Sequence, residues 1–129
     1  MIGRAGAAVL AALFCAAPAL AESPQAIMQS YATAANSTPS AERGQAFFTT
    51  KQKEHSCSSC HGPVPVGMGK NVETGREIKP MAPAANPERF KDPARVERFF
   101  NRQCNFVYGR ACTAGEKADV IAFLISLKP

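Results

Sequence analysis

Two cysteines and a histidine stand close together near the middle of the chain, in the run Cys57-Ser58-Ser59-Cys60-His61. Thiols three positions apart can form thioethers with the two vinyl groups on one edge of a porphyrin, while the adjacent imidazole binds the iron. The same side chains could instead form a thioredoxin-like redox pair or, with one further ligand, a zinc site. Because no strand pattern precedes Cys57, we interpret the run as the attachment site of one covalent haem c.

The first 21 residues have the composition of an export signal. Arg4 precedes an Ala/Val/Leu run, and the helix-breaking Pro18 is followed by the small-x-small segment Ala19-Leu20-Ala21. The apolar run is too short to span a bilayer, and signal peptidases accept small residues at this spacing. We therefore predict a signal peptide over residues 1–21, cleaved after Ala21, and a periplasmic mature domain over residues 22–129. An uncleaved membrane anchor is the alternative.

Composition limits the partners of this small domain. The chain carries 15 Lys and Arg against 10 Asp and Glu, a formal net charge of +5, and has eight Phe but no Trp. The basic residues are scattered along the chain, which together with export argues against nucleic acid. An excess of positive charge favours acidic protein partners or anionic surfaces. We expect a monomer, the usual state of so small a carrier.

Start signals predict four short helices. Ser23-Pro24, Ser40 and Asp92-Pro93 are typical first residues of helices, and Thr113 with Glu116 forms a capping-box pattern. Apolar residues recur at helical spacing behind each start. The last helix has the clearest stripe, which consists of Val120, Ile121, Leu124 and Leu127. The predicted fold class is therefore all-α.

Between the second and third of these helices, residues 62–91 are rich in Pro and Gly and show little regular structure. So long an irregular segment is unusual in a compact domain and needs a reason. Wrapping a large apolar ligand would supply one. A haem would also add the core that a chain of this size lacks.

A second cysteine pair, Cys104 and Cys112, follows the Asp92 helix start. In an oxidising compartment two thiols eight residues apart most simply form a disulfide. We predict that this bond fixes the end of the Asp92 helix, where a ligand could approach the iron.

Several segments give the chain a family resemblance. With Ala41-Glu42-Arg43-Gly44 and Phe48 ahead of the haem motif, it resembles class I cytochromes c, in which the first and last helices cross at a small residue, here Gly44. A closer resemblance is to the sphaeroides haem protein (SHP) family, which includes cytochrome c″. It rests on Ile78-Lys79-Pro80, Asn86-Pro87-Glu88-Arg89-Phe90, Ala94-Arg95-Val96-Glu97, Arg102-Gln103-Cys104-Asn105, Gly109-Arg110-Ala111-Cys112-Thr113 and Glu116-Lys117-Ala118-Asp119. The resemblance implies a small cytochrome c fold, with four or five short helices around one covalently bound haem.

The resemblance also implies a sixth iron ligand just before the first disulfide cysteine, usually Asn and in some members His, that leaves the iron on reduction. Gln103 holds that position here. Its amide oxygen is a neutral, weak donor one methylene further from the backbone than that of Asn, and Asn105 or water could take its place. Met81 is the main alternative, because a thioether is the ordinary distal ligand of class I carriers. Met68 and an open iron are further alternatives.

The resemblance finally implies a single-electron carrier, not an enzyme, that binds O2, NO or CO when reduced. Its implied donors are a dihaem cytochrome c and a membrane cytochrome b, through small and salt-sensitive contacts. One alternative is a conventional Met-ligated low-spin carrier. Another is a haem enzyme that turns over a diatomic gas, although no distal acid–base pair is apparent. His55 is interpreted as a solvated loop residue, and the paired aromatics as core and pocket wall: Phe47, Phe48, Phe99 and Phe100.

Overall fold

The computed structural model describes residues 1, 3, 12, 13, 15, 16 and 21–129. Within these residues the elements, in chain order, are α1 Pro24–Ala35, α2 Ala41–Thr49, α3 Cys57–His61, β1 Gly69–Lys70, β2 Glu77–Ile78, α4 Pro93–Tyr108 and α5 Ala114–Ser126. The predicted all-α fold class is confirmed. Two thirds of the predicted signal peptide, residues 1–21, lie outside the described residues. No helix in the described ranges has the length and apolar character needed to cross a membrane.

Side-chain caps begin four helices at the residues that the sequence indicated. Ser23, Ser40, Asp92 and Thr113 each accept a hydrogen bond from the backbone N–H three residues further on. Glu116 completes the capping box, because its carboxylate accepts from the Thr113 N–H at 2.8 Å. These bonds satisfy N–H groups that have no partner within the helix. The four starts were therefore readable from local chemistry alone.

The core forms where α5 packs against α1 and α2. Gly44 of α2 lies against the backbone of α5, so that a Cβ at this position would stand 1.8 Å from the carbonyl oxygen of Asp119. The Asp119 carboxylate in turn accepts from the Ser40 N–H at 2.7 Å and from Arg43 Nε at 2.8 Å. The close helix crossing that the class I resemblance implied at Gly44 is present.

An ion pair joins α4 to α5, and a side chain of α1 contacts it. Lys117, only 7% exposed, donates from Nζ to both carboxylate oxygens of Glu97, at 2.9 and 3.0 Å. The Tyr31 hydroxyl donates to the same carboxylate. The hydrogen bond from Lys117, and to a smaller extent the one from Tyr31, holds the pKa of Glu97 below its ordinary value. The three side chains thus connect three helices through one carboxylate.

We expect the stability of Glu97→Gln to decrease less than that of the wild type as the pH falls. Because the folded-state pKa of Glu97 is depressed, its carboxylate stabilises the fold above the ordinary carboxyl pKa and loses that contribution as the pH falls. Thermal unfolding midpoints measured from about pH 7 to about pH 3 should therefore fall less steeply in the variant than in the wild type. Glu42→Gln, at an exposed position of α2, should keep the wild-type slope. Equal slopes for Glu97→Gln and the wild type would contradict the prediction.

The segment after the haem motif is largely irregular, as expected, and it folds back on α3. Its short hairpin pairs Gly69 with Ile78, and a Cβ at Gly69 would stand 2.4 Å from the Cys60 carbonyl oxygen. The Pro65 carbonyl accepts from the N–H groups of Met81 and Ala82, both at 3.1 Å. These contacts hold the stretch around Met81 beside the helix that carries the motif.

Candidate haem site

The motif forms a single turn of helix, α3. The Ser59 hydroxyl accepts from the Ser56 N–H at 3.0 Å at the start of the helix. Gly62, with φ +79°, ends it and donates its N–H to the Ser58 carbonyl at 2.8 Å. Residues three and four apart share one face of a helix. The turn therefore presents Cys57, Cys60 and His61 on the same side.

All three motif side chains line one apolar cavity between α2, α3, α4 and α5. It encloses about 510 Å³ of empty space, its open mouth included. Its wall consists of Phe47, Phe48, Ser56, Cys57, Cys60, His61, Met81, Phe99, Phe100, Gln103, Cys104, Phe106, Val107 and Val120. The four paired phenylalanines are in this wall, where the sequence placed them. An apolar wall with a few convergent polar groups is typical of a cofactor site.

His61 has the properties of an iron ligand. Its side chain is buried, and Nδ1 has no hydrogen-bond partner among the described residues. Burial, followed by the nearby charge of Arg89, lowers the pKa of His61 to about 4, so the ring is neutral at physiological pH. A buried nitrogen without a partner is costly, and neutral imidazole is the form that ligates metals. The residues therefore fit a haem iron at this place.

Cys57 and Cys60 are free thiols in the same wall. Cys57 Sγ lies 3.6 Å from the Tyr108 hydroxyl, and burial raises the pKa of its thiol. The described part of the chain brings no three His, Cys, Asp or Glu side chains together as a possible metal site. A zinc site built on the motif would need such a set, whereas thioether attachment needs only two thiols beside an apolar cavity.

Two of the candidate sixth ligands face this cavity. Gln103, on α4, is half-buried in its wall, and Met81 is 1% exposed in the same wall. Asn105 is exposed outside the wall and donates from Nδ2 to the Asn101 carbonyl at 2.6 Å. Met68 is 57% exposed and is likewise no part of the wall. The structure thus brings Gln103 and Met81 to the motif and leaves Asn105 and Met68 away from it.

The second cysteine pair forms a disulfide. Cys104 and Cys112 are bonded, with their Cα atoms 5.7 Å apart and a separation of eight positions in sequence. The bond connects the last turns of α4 to the segment just before α5. Cys104 also lies in the cavity wall, so the bond restrains the backbone next to Gln103.

Replacing Cys104 and Cys112 with alanine should lower the free energy of unfolding by roughly 2–3 kcal/mol, the chain-entropy value for so short a loop. Thermal unfolding of the haem-loaded protein, followed by circular dichroism, measures the change. Treating the wild type with a disulfide reductant should produce a similar decrease in the midpoint. A double variant that unfolds at the wild-type temperature would contradict the prediction.

Two aromatic contacts at this site were not found from the sequence. Tyr108 donates from its hydroxyl to the Phe47 carbonyl at 2.8 Å, beside the Cys57 sulfur. The pKa of Tyr108 is raised, and burial is the main cause. His55 is half-buried and stacks on Phe106 with ring centroids 5.6 Å apart. His55 is therefore a loop residue, as interpreted, but only partly solvated. No local signal could have shown either contact, because each joins residues more than fifty positions apart.

A one-turn helix that points two thiols and a neutral imidazole into an apolar cavity is the construction of a c-type cytochrome. A family model described as a domain of unknown function (DUF1924) matches residues 34–124. The cytochrome c-type protein SHP of Cereibacter sphaeroides is 47% identical over 116 residues, which cover 84% of this chain and 89% of that protein. The chain belongs to the SHP-type cytochrome c family, which is related to cytochrome c″, and its cofactor is haem c.

Solved structures of relatives show the same fold. Oxidised SHP, described as an oxygen-binding cytochrome c, matches with a TM-score of 0.74 at 46% identity, over 79% of this chain and 95% of that one. Oxidised cytochrome c″ from Methylophilus methylotrophus matches with a TM-score of 0.76 at 36% identity, over 82% of this chain and 95% of that one.

Proposed function

We propose that the protein is an exported periplasmic carrier of single electrons with one haem c. Cys57 and Cys60 would hold the haem through thioethers, and His61 would ligate its iron. When bound, the haem supplies one-electron exchange and a coordination position for a sixth ligand. The presence of one C-x-x-C-H run in the chain supports a single haem, and the signal-like residues 1–21 support export.

We further propose that the sixth ligand is weak and is displaced by O2, NO or CO in the reduced protein. The observation that carries this is the position of Gln103, which lines the same cavity as the motif side chains and directly precedes a disulfide cysteine. A neutral amide oxygen is a hard donor and suits ferric iron better than ferrous iron. The oxygen-binding description of SHP, to which this chain is 46% identical, supports the same reading.

The position of Met81 supports a second candidate function, that of a conventional low-spin electron carrier with a thioether as the sixth ligand. Its side chain is almost fully buried in the same wall, and Met ligation raises the reduction potential of cytochromes c. In this candidate the protein exchanges electrons and binds no gas. The two candidates differ in which residue reaches the iron, so spectroscopy separates them.

The role we propose is electron exchange with a redox protein, without enzymatic turnover. Among the described residues of the cavity wall there is no Asp, Glu, Lys or Arg, so the wall offers no such side chain for moving protons to a bound gas. The partners we propose are a dihaem cytochrome c and a membrane cytochrome b, which would contact the monomer transiently. Their reaction rates should fall as salt is added. Repeated consumption of O2 or NO with a reductant would instead establish an enzyme.

Ferric and ferrous spectra with and without CO test the proposal on the wild type, Gln103→Met, Gln103→Asn and Met81→Leu. We expect no sulfur-to-iron charge-transfer band in the wild type and rapid CO binding by its reduced form. Gln103→Met should introduce the band and slow CO binding, whereas Gln103→Asn and Met81→Leu should resemble the wild type. A band in the wild type that disappears in Met81→Leu would overturn the Gln103 proposal and establish the Met81 candidate.

A further inference from the structure

A second, polar cleft adjoins the haem cavity. Met81 and Phe99 line both spaces, so the apolar cavity and the cleft are neighbours. The cleft encloses about 2050 Å³ of empty space, open to solvent, between residues 76–92 and α4. It is the larger of the two spaces.

The cleft is strongly basic. Its acidic lining residues are three, Glu77, Glu88 and Asp92. Its basic lining residues are seven, Arg76, Lys79, Arg89, Lys91, Arg95, Arg98 and Arg102. In the described ranges none of these seven forms a salt bridge, and the ion pairs found there use other cations. So many unpaired cations around one cleft indicate an anionic ligand.

Arg89 differs from the other six basic residues because it alone is partly buried. Its guanidinium donates from Nε to the Pro80 carbonyl at 2.9 Å and from Nη2 to the Lys79 carbonyl at 2.8 Å. Two backbone carbonyls fix the position of this cation and leave its charge without a carboxylate. A desolvated cation is costly unless an anion compensates it.

The backbone next to Arg89 is strained. Phe90 has φ +57° and a ring that is only 5% exposed. A bulky residue rarely adopts this conformation, and such residues cluster where a particular geometry serves function. Here the turn at Phe90 buries its ring while the Arg89 side chain stays at the cleft wall.

We propose that Arg89, assisted by Arg95, binds a propionate carboxylate of the haem and thereby connects the haem to the Lys79–Pro80 backbone before Met81. This inference rests on the proposed haem attachment. A porphyrin held at Cys57 and Cys60 by its vinyl-bearing edge carries both carboxylates on the other edge. The cleft beyond Met81 and Phe99 supplies the cations for that edge, and a guanidinium can bind a carboxylate with two parallel hydrogen bonds.

The test compares haem-loaded wild type, Arg89→Gln, Arg89→Lys and Lys51→Gln. Lys51→Gln removes one positive charge at an exposed position outside both linings. We expect Arg89→Gln to shift the resonance Raman bands of the propionates and to lower the reduction potential, because a nearby cation favours the reduced haem. Arg89→Lys should shift the bands while keeping a potential closer to that of the wild type. Arg89→Gln spectra and potentials equal to those of Lys51→Gln would overturn the proposal.

Two further measurements keep the result unambiguous. If Arg89→Gln does not fold, Arg95→Gln and Arg89→Lys carry the same comparison. Acetate added to the wild type at constant ionic strength tests whether a free carboxylate is the occupant. Saturable acetate-dependent changes in the Raman bands would assign the cleft to a free anion and overturn the propionate proposal. Absence of covalent haem from the wild type would instead overturn the proposed function itself.

Discussion

Replacing both Cys57 and Cys60 with alanine is expected to abolish covalent haem completely. The two thiols are the free cysteines of the cavity wall, and the other cysteine in that wall, Cys104, is bonded in a disulfide. The purified wild type should keep its colour in the protein fraction after acid-acetone extraction, and the double variant should not. The variant should also accumulate poorly, because an apolar cavity without its ligand removes part of the core.

The control for this prediction is the pair Cys104→Ala and Cys112→Ala, which also removes two sulfur atoms. That variant should be less stable but should retain haem through acid-acetone extraction, since neither residue belongs to the motif. A wild type isolated colourless from a haem-competent host, or a Cys57→Ala, Cys60→Ala protein with extraction-resistant haem, would contradict the attachment site.

The helices could be predicted because their starts depend on neighbouring residues. A hydroxyl or carboxylate that caps an N–H three positions away, as at Ser40 or Thr113, is visible in the sequence itself. The haem motif is equally local, since its three side chains share one turn of α3. The two-residue strands at Gly69 and Ile78 were not predicted, because such short pairings depend on the packing of the segment against Cys60.

The clustering of basic residues could not be predicted from the sequence. The basic residues are scattered along the sequence, yet the fold brings seven of them, from residues 76–102, around one cleft. The unusual member, Arg89, is distinguished by burial and by carbonyls nine and ten positions earlier. Neither property has a local signature, so the cleft could be found only in the folded protein.

The sixth ligand is a similar case. Gln103 was singled out through its position before a disulfide cysteine in a related family, and Met81 through the ordinary chemistry of class I carriers. The fold brings both into one wall although they lie 22 positions apart, and it excludes Asn105 from that wall. Sequence patterns nominate each residue separately, but their shared place in one wall depends on tertiary packing.

Gly44→Val is expected to destabilise the fold by more than about 3 kcal/mol, because the added side chain overlaps backbone that has no room to move. A Cβ at Gly44 would meet the Asp119 carbonyl oxygen at 1.8 Å and its carbon at 2.4 Å. Even Gly44→Ala should be less stable than the wild type, although alanine favours a helix by about 1 kcal/mol relative to glycine. Thermal and denaturant unfolding of the haem-loaded variants measure both effects.

The matched control for Gly44 is Gly67→Ala. A Cβ at Gly67 would have nothing within 4 Å, so we expect a change within about 0.5 kcal/mol of the wild type. This contrast separates the close crossing of α2 and α5 from the general effect of replacing a glycine. A Gly44→Ala protein that unfolds at or above the wild-type temperature would contradict the prediction. It would mean that α2 and α5 can move apart near Asp119 to accept a Cβ, so that the crossing does not require glycine.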